Sequence, residues 1–185
     1  MDCNNIFSDV LHCIPKTILD KRGYFRENFN KKDLENLDVK FENLQDNLSF
    51  SKKRGTLRGL HFQQKPFEQT KIIFVLSGEI FDVFVDLRKS SPTYGEHHSL
   101  ILNNENGFLI IPKGFAHGFC TLKDDTSVMY KVDNYYNKES ESGIIWNDHK
   151  LSINWPVEED NLIISDKDMN LEAFDNLQYV IDNDD

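Results

Sequence analysis

The chain of 185 residues carries 31 acidic against 21 basic side chains, a formal charge of −10, which argues against nucleic acid or an anionic membrane as a surface partner. Hydrophobic residues make up only 39%, but there are 14 Phe, and each aromatic ring buries a large area, so a single sizeable core is within reach. No apolar run approaches the length of a membrane helix, and Met1-Asp2-Cys3-Asn4-Asn5 lacks the basic and apolar regions of a secretory leader.

Cys3, Cys13 and Cys120 are an odd number without a CxxC spacing and read as reduced thiols of a cytoplasmic protein. Asn30 is placed to cap a short helix over Lys31–Leu37 that buries Leu34 and Leu37. Beyond it the chain reads as strand after strand. Ile72–Leu76 is an apolar run, Ser77-Gly78 a turn, and Glu79–Leu87 alternates so that Phe81, Val83, Val85 and Leu87 share a face. Further strands are expected at His98–Leu102, Phe108–Ile111, Gly118–Leu122 and Ser127–Val132. Turn signals at Ser91-Pro92, Asn103-Asn104, Pro112-Lys113-Gly114 and Asp124-Asp125 separate them. Many short strands at this spacing predict an all-β sandwich or barrel. No repeat or flexible linker divides the chain, so one domain over 1–185 is expected, with its core over about 20–168. From Trp155-Pro156 onward a polar peripheral arm is expected, its last residues, Asp182–Asp185, frayed.

Four segments carry side chains suited to chemistry. Arg54–Gln63 gathers two Arg and His61 around Gly55 and Gly59, and Lys71 follows at the head of a strand. Histidine titrates near neutrality and an ammonium polarises a carbonyl, so the two together can drive enolisation; a core His and a surface Lys fit the same segment. In Ile111–Phe119, His117 starts a strand and shares a face with Phe119 and Thr121, as either a hydrogen-bonded core residue or a site residue. Tyr130 shares a face with Val128 and Val132, the pattern first of a core tyrosine and also of an acid in a barrel mouth, and Tyr135, Tyr136 and Glu141 come after it. Ile164–Asp168 reads locally as a charged turn or helix entry, and nothing in its spacing ties it to His61.

Six blocks in order resemble the dTDP-4-dehydrorhamnose 3,5-epimerase family. They are Asp20-Lys21-Arg22-Gly23-Tyr24-Phe25-Arg26-Glu27, Gln45-Asp46-Asn47, Leu57-Arg58-Gly59-Leu60-His61-Phe62-Gln63, Gly78-Glu79-Ile80-Phe81-Asp82-Val83, Pro112-Lys113-Gly114-Phe115-Ala116-His117-Gly118-Phe119 and Ser165-Asp166-Lys167-Asp168. The resemblance implies a cupin-type double-stranded β-helix (jelly-roll) barrel with short peripheral helices, assembled as a homodimer. It implies inversion of carbons 3 and 5 of dTDP-4-dehydro-6-deoxy-D-glucose, without a cofactor. His61 is then the base, Asp168 rather than Asp166 its partner, Lys71 the stabiliser of the enolate oxygen and Tyr130 the acid on the opposite face. Arg22, Phe25 and Glu27 are implied as contacts lent by a partner subunit. Gln45, Asn47, Arg58, His117, Glu141 and Lys167 are implied as contacts to sugar or diphosphate, and Tyr135 as a stacking face for the base.

Arg58 and His61 differ by three, so a flat strand would point them to opposite faces; the resemblance implies a bend or bulge at Gly59 that brings both into one pocket. Metal-binding cupins usually offer His-x-His followed by a carboxylate and a later His. Here Gln63 breaks the first pair, so no metal is expected. The competing readings are a C3-only epimerase of a related nucleotide sugar, a non-catalytic cupin that binds sugar nucleotides, and a metal-dependent cupin enzyme.

Overall fold

Two antiparallel sheets face each other in the computed structural model, which describes residues 1–177. Six strands form one sheet, in the order β1 (Asp2–Phe7), β2 (Val10–Ile14), β10 (Phe108–Ile111), β7 (Lys71–Ser77), β12 (Thr126–Val132) and β5 (Gln45–Ser51). The other sheet runs β13 (Glu141–Gly143), β6 (Leu57–Gln63), β11 (Phe115–Thr121), β8 (Glu79–Asp86) and β9 (His97–Asn103). A hairpin of β3 (Thr17–Asp20) and β4 (Gly23–Arg26) pairs with neither sheet. Short helices α1 (Lys31–Glu35) and α2 (Asp166–Met169) lie at the periphery, so the fold is the expected cupin-type jelly-roll barrel. Among the described residues no helix is long and apolar enough to cross a membrane.

The central strand β7 is covered on both faces, which is why it reads as a continuous apolar run rather than an alternating one. Ile73 and Val75 join the barrel interior with Phe84, Phe115 and Phe119, while Ile72 and Phe74 pack outward against Leu34 and Phe41. Leu34 anchors α1 as expected, and burying such a side chain contributes about 1.5–3 kcal/mol. The Asn30 side chain accepts from Lys32 N–H, but the helix ends at Glu35, and Leu37 is left partly exposed. Val83, Val85 and Leu87 face a separate outer cluster, where Phe174 is buried and Trp155 packs against it. The arm is thus polar in sequence yet seals the outer face of the second sheet. Asp182–Asp185, expected to fray, lie outside the described residues.

Two expectations need correction. Cys3 and Cys13 are directly opposite on β1 and β2 and form a disulfide, their Cα atoms 4.1 Å apart, so the cysteine count does not support three reduced thiols or the compartment inferred from them. Among the described residues Cys120 is the free thiol, and burial pushes it up to about 11. Strand β11 begins at Phe115, so His117 sits in mid-strand rather than at its start.

Candidate active site

The interior faces of β6, β7, β11 and β12 meet at a cavity of about 350 Å³, closed on one side by β13 and α2. His61 and His117 are direct cross-strand partners on β6 and β11, so their rings share one wall. Arg58 reaches the same wall because the register slips: three residues on β11, His117 to Phe119, lie against four on β6, Arg58 to His61. Gly59 permits this bulge. Its φ is +116°, and a Cβ there would lie 2.6 Å from Gly118 Cα and 2.8 Å from the His117 carbonyl oxygen. The bulge implied at Gly59 is present.

His61 is fixed from α2. Its Nε2 lies 2.8 Å from Asp168 Oδ1, and Asp168 Oδ2 accepts from Gly59 N–H at 3.1 Å. The Ser165 hydroxyl accepts from Asp168 N–H and caps α2, which turns Asp168 inward. Burial alone would raise the Asp168 carboxyl; the His61 bond and charge, with Gly59 N–H and Ser165, hold it below its usual value. Asp166, two residues earlier in α2, is exposed. The charged turn of the sequence is therefore a short helix that delivers one carboxylate to the interior.

The facing sheet supplies Lys71 and Tyr130. The Lys71 amine donates to the His61 carbonyl at 3.1 Å, and burial drives it down to about 8 despite the opposing fields of Asp82 and Glu141. Tyr130 is cross-strand from Ile73 and Asn47. Burial raises its phenol above the ordinary value; Arg58 opposes this and Glu141 adds to it. On the rim, Glu141 binds Lys167 and accepts from the Tyr136 hydroxyl at 2.9 Å. Burial would raise Glu141, and these two partners bring it below its usual value.

The cavity thus gathers Arg58, His61, Lys71, His117, Tyr130, Glu141, Lys167 and Asp168 of the expected residues. Gln45 and Asn47 stand beside it on β5, joined by an amide hydrogen bond of 2.7 Å. Arg22, Phe25 and Glu27 do not line this cavity. Arg22 pairs with Asp20 at 2.6 Å on the exposed β3–β4 hairpin, Phe25 is 69% exposed, and Glu27 accepts from Asn30. Tyr135 does not line it either. Its carbonyl is held by the Gln63 amide, its ring stays exposed, and the next residue, Tyr136, turns into the cavity instead. Gln63 is spent on this loop, donating also to the Phe67 carbonyl and accepting from Asn137 N–H. Among the described residues no group of three or more His, Cys, Asp and Glu side chains is placed to hold a metal.

Sequence reasoning noted Tyr136 but gave the stacking role to its neighbour, and it missed Asp82. Asp82 is wholly buried on β8, and its Oδ2 lies 2.8 Å from His117 Nε2. An acid between the apolar Phe81 and Val83 reads as solvent-facing. The signal that could have exposed it is its place in the barrel: the face it shares with Ile80 and Phe84 is the interior one.

A barrel lined by an imidazole–carboxylate pair, a buried amine and a facing phenol has the features of an isomerase that moves protons beside a carbonyl, and the comparisons specify which kind. The family model for dTDP-4-dehydrorhamnose 3,5-epimerase matches residues 5–176. The epimerase of that name from Shigella flexneri is 48% identical over 94% of this chain and 95% of its own, and that from Methanothermobacter thermautotrophicus 50% identical over 84% of each. The crystal structure of the Bacillus anthracis epimerase with TDP and PPi bound superposes with a TM-score of 0.86 at 48% identity, covering 93% of this chain and 99% of that one. The Legionella pneumophila enzyme in complex with dTDP-4-keto-L-rhamnose gives 0.89 at 40% identity, over 95% and 94%. The chain belongs to the dTDP-4-dehydrorhamnose 3,5-epimerase family.

Proposed function

We propose that the protein inverts carbons 3 and 5 of dTDP-4-dehydro-6-deoxy-D-glucose, giving dTDP-4-dehydro-L-rhamnose. The observation that carries this is the placing of His61 and Tyr130 on opposite sheets, with the Lys71 amine bonded to the backbone of His61. His61 takes the proton beside the ketone. The electron pair moves onto the ketone oxygen, where the Lys71 ammonium stabilises the enolate. Tyr130 then delivers a proton to the same carbon from the other face, and solvent restores both groups before the second carbon reacts. Asp168 orients the imidazole and stabilises its cation. With Nε2 held by Asp168, Nδ1 is the nitrogen left to act on substrate.

Arg58, His117, Lys167, Glu141, Gln45 and Asn47 serve sugar and diphosphate in this reading, with the Arg58 fork suited to phosphate oxygens. Tyr136 replaces Tyr135 as the aromatic face for the base. Arg22, Phe25 and Glu27 act in the cavity of a second subunit. A homodimer is supported by the exposed apolar side chains of the hairpin, Leu19 at 79% and Phe25 at 69%, and by Leu48 and Phe50 on the edge strand β5.

Incubation with the 4-keto sugar nucleotide in heavy water tests the reading. Deuterium at both carbon 3 and carbon 5 is expected. Deuterium at carbon 3 alone would assign the chain to the narrower activity named for the 3'-monoepimerase of Streptomyces bikiniensis, which is 28% identical with a TM-score of 0.83. Tight binding with no exchange would leave a binding protein. In the same assay Tyr130→Phe should slow inversion more than loss of the substrate proton, because His61 can return a proton only to the face it came from. Unchanged inversion in that variant would show that another group is the acid.

A further inference from the structure

Asp82 lies on β8 across from Phe119, and none of its surface reaches solvent. One carboxylate oxygen meets His117; the other, Oδ1, has no hydrogen-bond partner among the described residues. An unsatisfied buried carboxylate oxygen is costly, and it persists where a nearby charge compensates. Its own strand offers only Ile80 and Phe84 on that face. His117 compensates first, from the adjacent strand, and Lys71 adds to it from the facing sheet. Carboxylate and amine each favour the charged form of the other, against a desolvation that penalises both.

The other anions lining the cavity act on the Lys71 amine less than Asp82 does. Asp168 gives one oxygen to His61 and the other to Gly59 N–H. Glu141 receives both Lys167 and Tyr136 on one oxygen. Arg58 and Lys167 are like charges and disfavour a further cation; Tyr130 and the two imidazoles complete the titratable groups lining the cavity. The register partners of Lys71 on β10 and β12, Ile111 and Val132, are uncharged, and β5 brings the amides of Gln45 and Asn47. Asp82 is therefore the buried carboxylate with an unspent oxygen.

We propose that Asp82 is a positioning residue for the epimerisation: from behind the cavity wall it keeps the Lys71 amine cationic and holds the His117 ring, without touching substrate. This rests on the role given to Lys71 above. An enolate-stabilising ammonium must be charged at the moment the proton leaves, yet its burial favours the neutral amine. A carboxylate set directly against the ketone oxygen would repel the developing enolate. Placed behind His117, it supplies the field while the imidazole screens it from the substrate.

Asp82→Asn removes the charge at nearly constant volume, and the amide can still meet His117. The Lys71 amine is titrated by trace acetylation with acetic anhydride across a pH series, the modified peptide being quantified by mass spectrometry. Since the free amine is the reactive form, acetylation in the wild type should rise with a midpoint of about 8. In Asp82→Asn the midpoint should fall by about one unit, and the alkaline limb of kcat/KM should follow it, lowering the rate about tenfold on that side. A merely structural Asp82 would lower activity evenly across pH and leave the midpoint in place, which overturns the proposal. If Asp82→Asn does not fold, neutron diffraction on wild-type crystals at neutral pH decides. Three deuterons on Lys71 Nζ and none on Asp82 support it, and a deuteron on Asp82 Oδ1 overturns it. Wild-type protein that exchanges nothing with the 4-keto sugar would remove the proposed function, while the acetylation midpoints would still decide whether Asp82 controls the amine.

Discussion

Replacing His61 by Asn is expected to lower deuterium incorporation at carbon 3 and carbon 5 alike, by about 10²–10⁴-fold. The size is that of a general base withdrawn from the proton-transfer step, and the equality between carbons follows from His61 serving as the base at both, with His117 left to bind. Asn is chosen because its amide nitrogen can still donate to Asp168. That matters for the fold. The Asp168 carboxyl is depressed below its unfolded value, so its contribution to stability is present above the unfolded value and is lost as pH falls through the folded one. His61→Ala strips away the principal donor, so it should melt lower than His61→Asn at neutral pH and lose less of its melting temperature on acidification, because Asp168 is then less depressed. A loss confined to one carbon in His61→Asn would mean that a second base serves the other, and the shared-base scheme would fail.

Phe108–Ile111 is legible to the residue, because Gly107 and Pro112 bracket four apolar side chains and strand-length runs between turn formers have few alternatives. Asn30 was legible for the same local reason, a cap followed at once by an apolar contact. The strands before residue 20 were not. Asn4-Asn5 breaks alternation in β1, and the hairpin with β2 turns on Ser8 and Asp9 in left-handed backbone, which no glycine announces. The Cys3–Cys13 pair depends on that register and stayed hidden with it. Within the site, His61 and Tyr130 each fitted a core reading and Lys71 a surface one, and only the resemblance to a family singled them out. Asp82 shows where alternation misleads: it sorts a strand into an apolar and a polar face, and β8 is buried on both, inside the barrel and beneath the C-terminal arm. The outward turn of Tyr135 and the inward turn of Tyr136 depend on the Gln63 amide gripping the loop across a long sequence gap, which no local pattern records.

Lys71→Met should cut kcat by about 10²–10³-fold, the loss associated with one oxyanion donor. The same substitution should leave the fold as stable as before or more so. The amine is driven down to about 8 chiefly by burial, so its charged form is carried at a cost, and Met offers an unbranched, apolar chain for the same space. A group that weakens the fold and accelerates the reaction is the signature of a residue kept for chemistry. The bond from Nζ to the His61 carbonyl offers the opposite explanation, a strut that holds β6 in place. Melting temperature and kcat measured on one preparation separate the two. A strut predicts a lower melting temperature and an activity that recovers on cooling. An enolate stabiliser predicts an unchanged or higher melting temperature and an activity that stays low at every temperature, with His61 still able to pair with Asp168.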